Sequence, residues 1–334
     1  MKALVYTAPN EVTYRDEPEP RFGEGDVMIE VDAVGICGSD MHAYHGHDPR
    51  RNPPLILGHE LVGRIVKGPG TGRRATVNPL ITCGHCEYCV QGRDNLCANR
   101  TMIGMTRAGG FAERVATAAR SVIDIPQDMD ARAAALTEPA ATAVHAINLS
   151  MKSLVRPLPE CRVLVLGGGA IGMLAALLLR HYGVRHVAVA ETNPLRRASV
   201  EKASGAATYD PRDAKGGAGA PAANTIDYVI DAVGAKATRN AAFEAVKPGG
   251  VIMHVGLQDW ASEIDMRKLT LAELTLLGTY TYTTADLRAT VAFLHEGAFG
   301  DLAWVEERPL AEGARAFRDL HEGRTAAAKV LLRP

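Results

Sequence analysis

Apolar and polar residues alternate in short runs over the first third of the chain. Val27, Ile29, Val31 and Ala33 take every second position, with mostly polar neighbours between them. A side-chain period of two is that of a half-buried strand, so residues 27–34 are expected to be one. Residues 2–7 and 61–66 are expected to be others, with a Pro/Gly/acid-rich turn over 16–25. Many short strands punctuated by Gly and Pro predict a β-rich, barrel-like domain. Near residues 137–146 the pattern turns helical, and beyond it apolar strands and helices alternate. Strands are expected at 162–166, 186–190, 227–231, 251–255 and 274–278, with helices at 173–180 and 197–202. That alternation predicts a parallel sheet covered by helices, so the fold class is α/β. The Ala/Gly-rich stretch 213–224 reads as a mobile surface loop, and a last strand at 329–332 is expected to return to the first domain.

The chain has 334 residues, which suggests about two domains, and 47% of them are hydrophobic, enough for a sizeable core. A net charge of -1 gives no electrostatic case for nucleic acid or an anionic membrane. The apolar run 163–179 approaches spanning length, but its four glycines split it into a strand and a helix. The amino terminus runs straight into a strand pattern without a signal-peptide design, which points to the cytoplasm.

Four of the six cysteines crowd into residues 83–97. Cys83, Cys86, Cys89 and Cys97 suit tetrahedral zinc with no position left open for a substrate, so the site is expected to be structural. His85 is surplus to that set. A second group gathers around Gly35-Ile36-Cys37-Gly38-Ser39-Asp40-Met41-His42 and Gly58-His59-Glu60. It offers a thiol, an imidazole and a carboxylate for one metal, and a hydroxyl and second imidazole to move a proton. Gly35, Gly38 and Gly58 beside the ligands suit a tightly bent backbone.

Gly167-Gly168-Gly169-Ala170-Ile171-Gly172 matches G-x-G-x-x-G, after an apolar strand and at the opening of an apolar helix. Such a turn lets the backbone approach a pyrophosphate at the helix amino terminus. Glu191, nineteen residues after Gly172 (191 − 172), ends the next strand. A carboxylate there accepts ribose hydroxyls and repels a 2′-phosphate, which points to NAD; Arg196 and Arg197 offer guanidinium groups that would accept that phosphate.

Together with Glu138-Pro139 and the closing Lys329-Val330 strand, these motifs resemble the medium-chain, zinc-dependent alcohol and polyol dehydrogenases (the sorbitol, L-idonate and threonine branch), over essentially the whole chain. The resemblance implies a GroES-like catalytic domain from residues 1–146 and 276–334. A Rossmann NAD-binding domain, a doubly wound parallel sheet, would occupy 147–275. It implies Cys37 and His59 as catalytic zinc ligands, with Glu60 and Glu138 supplying one further ligand and one nearby carboxylate. Which is which stays open. A second, structural zinc would sit on the cysteine lobe. Polyol members carry Glu at the Glu138 position, where liver-type enzymes carry Cys. Ser39 and His42 match the family's proton relay, Asp40 fixes local geometry, and Tyr44 matches a substrate-pocket aromatic. His45 and His47 match no role. Val233, Val255 and Gly256 join the cofactor contacts, and a homodimer or homotetramer is implied.

Two departures stand out. The stretch 68–77 is short and lacks the family's Gly-Asp-Arg-Val signature, which touches a surface turn. Thr281 stands where sorbitol-type enzymes carry Arg. The expected reaction is hydride transfer between NAD and a secondary alcohol of a small polyhydroxy substrate (a polyol, sugar or sugar acid) other than sorbitol. A threonine 3-dehydrogenase is the rival enzyme, although Tyr44-His45-Gly46-His47-Asp48 lacks that subgroup's tryptophans. A catalytically silent nucleotide-sensing protein would be expected to have lost some of the Cys37, Ser39, His42, His59, Glu60 and Glu138 set. A zinc-finger nucleic-acid binder lacks the basic charge.

Overall fold

The computed structural model describes residues 1–213 and 219–334. The chain divides into two units. One holds Met1–Pro139, Thr283–Gly297 and Val305–Pro334; the other holds Ala140–Tyr282 and Ala298–Trp304. The division falls inside the helix Thr137–Met151 and just after residue 282, whereas the sequence placed it at 146/147 and 275/276.

The first unit is built around the strand Asp26–Gly35. Its alternating pattern buries Val27, Ile29, Val31 and Ala33, as a two-residue period requires. The strand pairs antiparallel with Glu60–Lys67, Arg114–Ala118 and Lys329–Arg333. Register at its far end matters most, because Gly35 lies opposite Glu60 on one side and Leu331 on the other. Three segments remote in sequence therefore meet at one point. The return of 329–332 to this unit agrees with the sequence reading. Lys2–Ala8 pairs with Glu11–Asp16, a strand missed because Val12 alone is buried among its mostly polar residues. Leu4, Ile29, Leu61, Ile65, Phe111 and Phe317 share the core. The helices Thr284–His295 and Gly313–His321 were also not foreseen. The short stretch after Lys67 is a turn leading into the strand Arg74–Val77, as expected.

In the second unit the described residues form a parallel sheet. Its order is Ala207–Tyr209, His186–Ala190, Arg162–Leu166, Ile226–Asp231, Val246–His254 and Thr275–Gly278. This is the doubly wound order, which reverses direction after the first strand and leaves a crevice at the strand ends there. The helix Pro194–Ser204 shows local chemistry at both ends. Asn193 accepts from the N–H groups of Leu195 and Arg196, Pro194 opens the helix, and Gly205 closes it at φ 65°. Of the expected loop 213–224, residues 214–218 lie outside the described ones.

Candidate active site

Cys37 caps the helix Gly38–Tyr44 in extended conformation, and its N–H donates to Asp40 Oδ2 at 3.0 Å. His59 and Glu60 enter from the strand beside it, after a left-handed Gly58 at φ 91°. A Cβ on Gly58 would strike the Phe111 ring at 2.6 Å, and one on Gly35 would strike Glu60 Oε2 at 2.0 Å. Both glycines are therefore required by the site. Gly38 is not: a Cβ there meets nothing within 4 Å, so the expectation for that glycine is corrected.

The ligand atoms of Cys37, His59 and Glu60 lie within 4.8 Å of one another. Burial alone would push the His59 imidazole towards its neutral form. The Asp40 carboxylate and the Cys37 thiol outweigh this and raise its pKa well above the usual 6.5. His59 Nδ1 and Asp40 Oδ1 are 3.6 Å apart, and neither has another partner among the described residues. A half-buried thiol, a buried imidazole and a buried carboxylate converging at one point form a donor set that fits zinc.

Glu60 is also held from behind. Lys329 Nζ donates to both its oxygens at 2.6 Å and to the Ile36 carbonyl at 3.0 Å, with both side chains almost wholly buried. Burial disfavours the ammonium, yet the Glu60 and Cys37 charges hold the Lys329 pKa above its usual value, helped by Glu138. Glu138 is buried in the first turn of Thr137–Met151 and lies outside the three-ligand group. Lys329 was not identified from sequence. Its signal was a lysine opening a strand whose next three residues are apolar, which places a charge at a buried register.

Ser39 and His42 lie three apart on the helix Gly38–Tyr44, hence on one face. His42 is half-buried. Burial, then His47 and Arg51, depress its pKa against the pull of Asp48. Arg51 is buried and donates from Nη2 to Ser39 Oγ at 3.1 Å. Tyr44 is buried. It packs in the unit's core against Phe317, ring centroids 5.4 Å apart, and its apolar ring is spent there. His45 pairs with His321, Nε2 to Nδ1 at 2.9 Å.

The lobe brings Cys83, Cys86, Cys89 and Cys97 together, their sulfurs also within 4.8 Å. N–H donors of His85 and Cys86 bring the Cys83 thiol down to about 6, while against the Cys89 N–H burial and then the neighbouring thiols push Cys86 to about 11. His85 is exposed, turned to the Cys83 carbonyl, and outside the set.

In the second unit Gly167 is left-handed at φ 97°, and Gly172 crosses so close that a Cβ would meet the Gly167 carbonyl at 1.8 Å. Gly169 caps the helix Ala170–His181 and faces open space, room that a pyrophosphate would take. Glu191 is buried over this turn, accepting from the Gly168 N–H at 2.8 Å and the Asn193 N–H at 2.7 Å. Arg197 is tied to the Glu191 carbonyl and to Asp210, while Arg196 keeps a buried Nε without a partner among the described residues. Val233 packs on Gly167, and Val255 and Gly256 follow the adjoining strand with both N–H groups on the Asp231 carbonyl. Thr281 takes a left-handed φ of 47°, strained for a β-branched residue, and its hydroxyl is buried without a partner among the described residues.

Known proteins are similar to this chain in sequence and fold. The family model of the alcohol dehydrogenase GroES-like domain matches residues 23–127, and that of the zinc-binding dehydrogenases matches 170–296. L-Galactonate-5-dehydrogenase of Escherichia coli K12 is 31% identical over 337 residues, covering 97% of this chain and 96% of that protein. L-Threonine 3-dehydrogenase of Shewanella woodyi is also 31% identical, over 84% of each chain. A solved zinc-binding dehydrogenase of Sinorhizobium meliloti 1021, bound to NADP, superposes with a TM-score of 0.86 at 31% identity, covering 100% of this chain and 99% of that one. The chain belongs to the medium-chain, zinc-dependent alcohol dehydrogenase family.

Proposed function

We propose that this enzyme transfers hydride between NAD and a secondary alcohol of a polyol, sugar or sugar acid. The observation that carries the reading is the group of half-buried Cys37 with buried His59 and Glu60, with Ser39 and His42 on the helix that Cys37 caps. When bound, zinc would polarise the alcohol and the dinucleotide would take the hydride. Cys37, His59 and Glu60 would hold the metal, with Glu138 near. The Ser39 hydroxyl accepts the alcohol's proton and His42, whose depressed pKa keeps it neutral, takes it towards solvent. The turn Gly167 to Gly172 receives the pyrophosphate, and Glu191 would exchange its backbone donors for ribose hydroxyls. Cys83, Cys86, Cys89 and Cys97 would hold the structural zinc.

Tyr44 in the core leaves Glu138 and Thr281 as the substrate-facing candidates. The unpartnered Thr281 hydroxyl, in place of a family Arg, supports a neutral or weakly acidic polyhydroxy compound other than sorbitol. The L-galactonate relative supports a sugar acid among these. A threonine-type reaction is the second reading, supported by the Shewanella relative. NAD reduction followed at 340 nm over polyols, sugar acids and amino alcohols tests all three. We expect a polyol or sugar acid to exceed sorbitol and threonine at least tenfold in kcat/KM. Sorbitol as the best substrate, or no shift of preference in Thr281→Arg, would overturn it.

NAD should be preferred over NADP at least tenfold, about 1.4 kcal/mol from one charged clash. The NADP-bound relative and the unpartnered Arg196 Nε make this a sharp test. Equal use of both cofactors, unchanged in Glu191→Ala, would show that the carboxylate does not decide.

Among the described residues no helix is long and apolar enough to cross a membrane, and a cytoplasmic enzyme is the reading we hold. The edge strand Thr275–Gly278 with exposed Leu257, Leu271 and Trp260 supports a homodimer or homotetramer, which light scattering would refute by finding a monomer at micromolar concentration.

A further inference from the structure

Arg51 is the most completely buried cation near the relay that the proposed reaction does not use. Its side chain has no exposure, and the guanidinium makes three bonds in three directions. Nε donates to the Gly104 carbonyl at 3.0 Å, Nη1 to Asp48 Oδ2 at 2.6 Å, and Nη2 to Ser39 Oγ at 3.1 Å. Asp48 is anchored in turn by the Arg50 side chain and N–H. A planar guanidinium clamped at two other corners cannot swing away from Ser39, and a buried charge is kept only where its partners repay desolvation.

The chemistry of the third bond is one-directional. A guanidinium has donors only and does not lose its proton. Ser39 Oγ must therefore accept from Arg51, and the hydroxyl's own hydrogen must point elsewhere. One lone pair is occupied, and what remains is one lone pair and one O–H: the two things a proton carrier needs. A proton arriving from the alcohol takes the free lone pair while the original hydroxyl proton leaves on the His42 side, and Ser39 ends as the neutral hydroxyl it began as. The fixed positive charge also favours electron density on Oγ during the transfer.

We propose that Arg51 is a positioning residue for proton transfer, acting through Ser39 by holding its hydroxyl in the accepting orientation. This rests on the reading of Ser39 and His42 as proton carriers, and a double-mutant cycle separates the two. Arg51→Met should lower kcat for alcohol oxidation ten- to a hundredfold and raise the solvent deuterium isotope effect on kcat. The NADH dissociation constant, read by fluorescence, should stay within twofold and the zinc content should be unchanged. In a Ser39→Ala background the same substitution should cost less than twofold. Equal costs in both backgrounds, or wild-type kcat and isotope effect in Arg51→Met, would overturn the proposal while leaving the relay standing. Full activity in Ser39→Ala would overturn the relay and the proposal together. Should the methionine variant not fold, Arg51→Lys keeps a cation beside Asp48 and goes through the same cycle: coupling to Ser39 supports the role, and additivity refutes it.

Discussion

Two cysteine-bearing sites sit in one unit and are assembled on opposite principles. The lobe draws four like donors from fifteen consecutive residues, three of them only half-buried, with little more than short turns between. The Cys37 site draws unlike donors from a helix cap and the start of one strand, buries His59 and Glu60, and backs them with Asp40 and Lys329. Four thiolates close a metal's coordination. A thiolate, an imidazole and a carboxylate already shared with a lysine leave room for a substrate. Local density suits a staple, and converging register suits chemistry.

The largest effect should come from setting one thiol of each site against the other. Cys37→Ala should cut kcat at least a thousandfold, ~4 kcal/mol of barrier, with the thermal midpoint nearly unchanged. Cys86→Ala should lower the midpoint and leave turnover per folded molecule within a fewfold. Elemental analysis should find about two zincs in the wild type and about one in each variant. Turnover abolished in Cys86→Ala at an unchanged midpoint would erase the contrast.

Next in size is the backing of the catalytic group. Lys329→Met strands a buried Glu60 carboxylate and should cost about 3–5 kcal/mol in urea unfolding. Lys329→Met with Glu60→Gln should recover most of it, because the penalty belongs to the uncompensated charge.

Smaller effects should appear with pH. A depressed His42 pKa means a neutral, proton-accepting imidazole down to below 6.5, so oxidation should fall only as pH drops through that lower value. His42→Gln should lose that limb along with about tenfold in kcat. Asp48, its pKa lowered from 3.8 to about 2 by its arginines against the effect of burial, contributes stability that is complete above 3.8 and lost as pH falls towards 2. The acid unfolding curve of Asp48→Asn should be flatter in that window, and an unchanged curve would refute the assignment.

What the sequence by itself determined is what neighbours along the chain decide. The strand at 162–166, the glycine turn after it and the helix that follows are local patterns of period, turn chemistry and capping, and they stand where expected. The cysteine lobe was legible for the same reason: its four sulfurs are close because their residues are. Tertiary structure decided whatever depended on register. Lys329 meets Glu60 across 269 positions because both strands flank the end of Asp26–Gly35. Arg51 reaches Ser39 only because Asp48 and the Gly104 carbonyl aim it. Tyr44 turned to the core because its helix packs beside Phe317, far along the chain. A residue's type sets which bonds it can make. The sheet's register sets which partners arrive, and that energy is spread over contacts no single stretch of sequence contains.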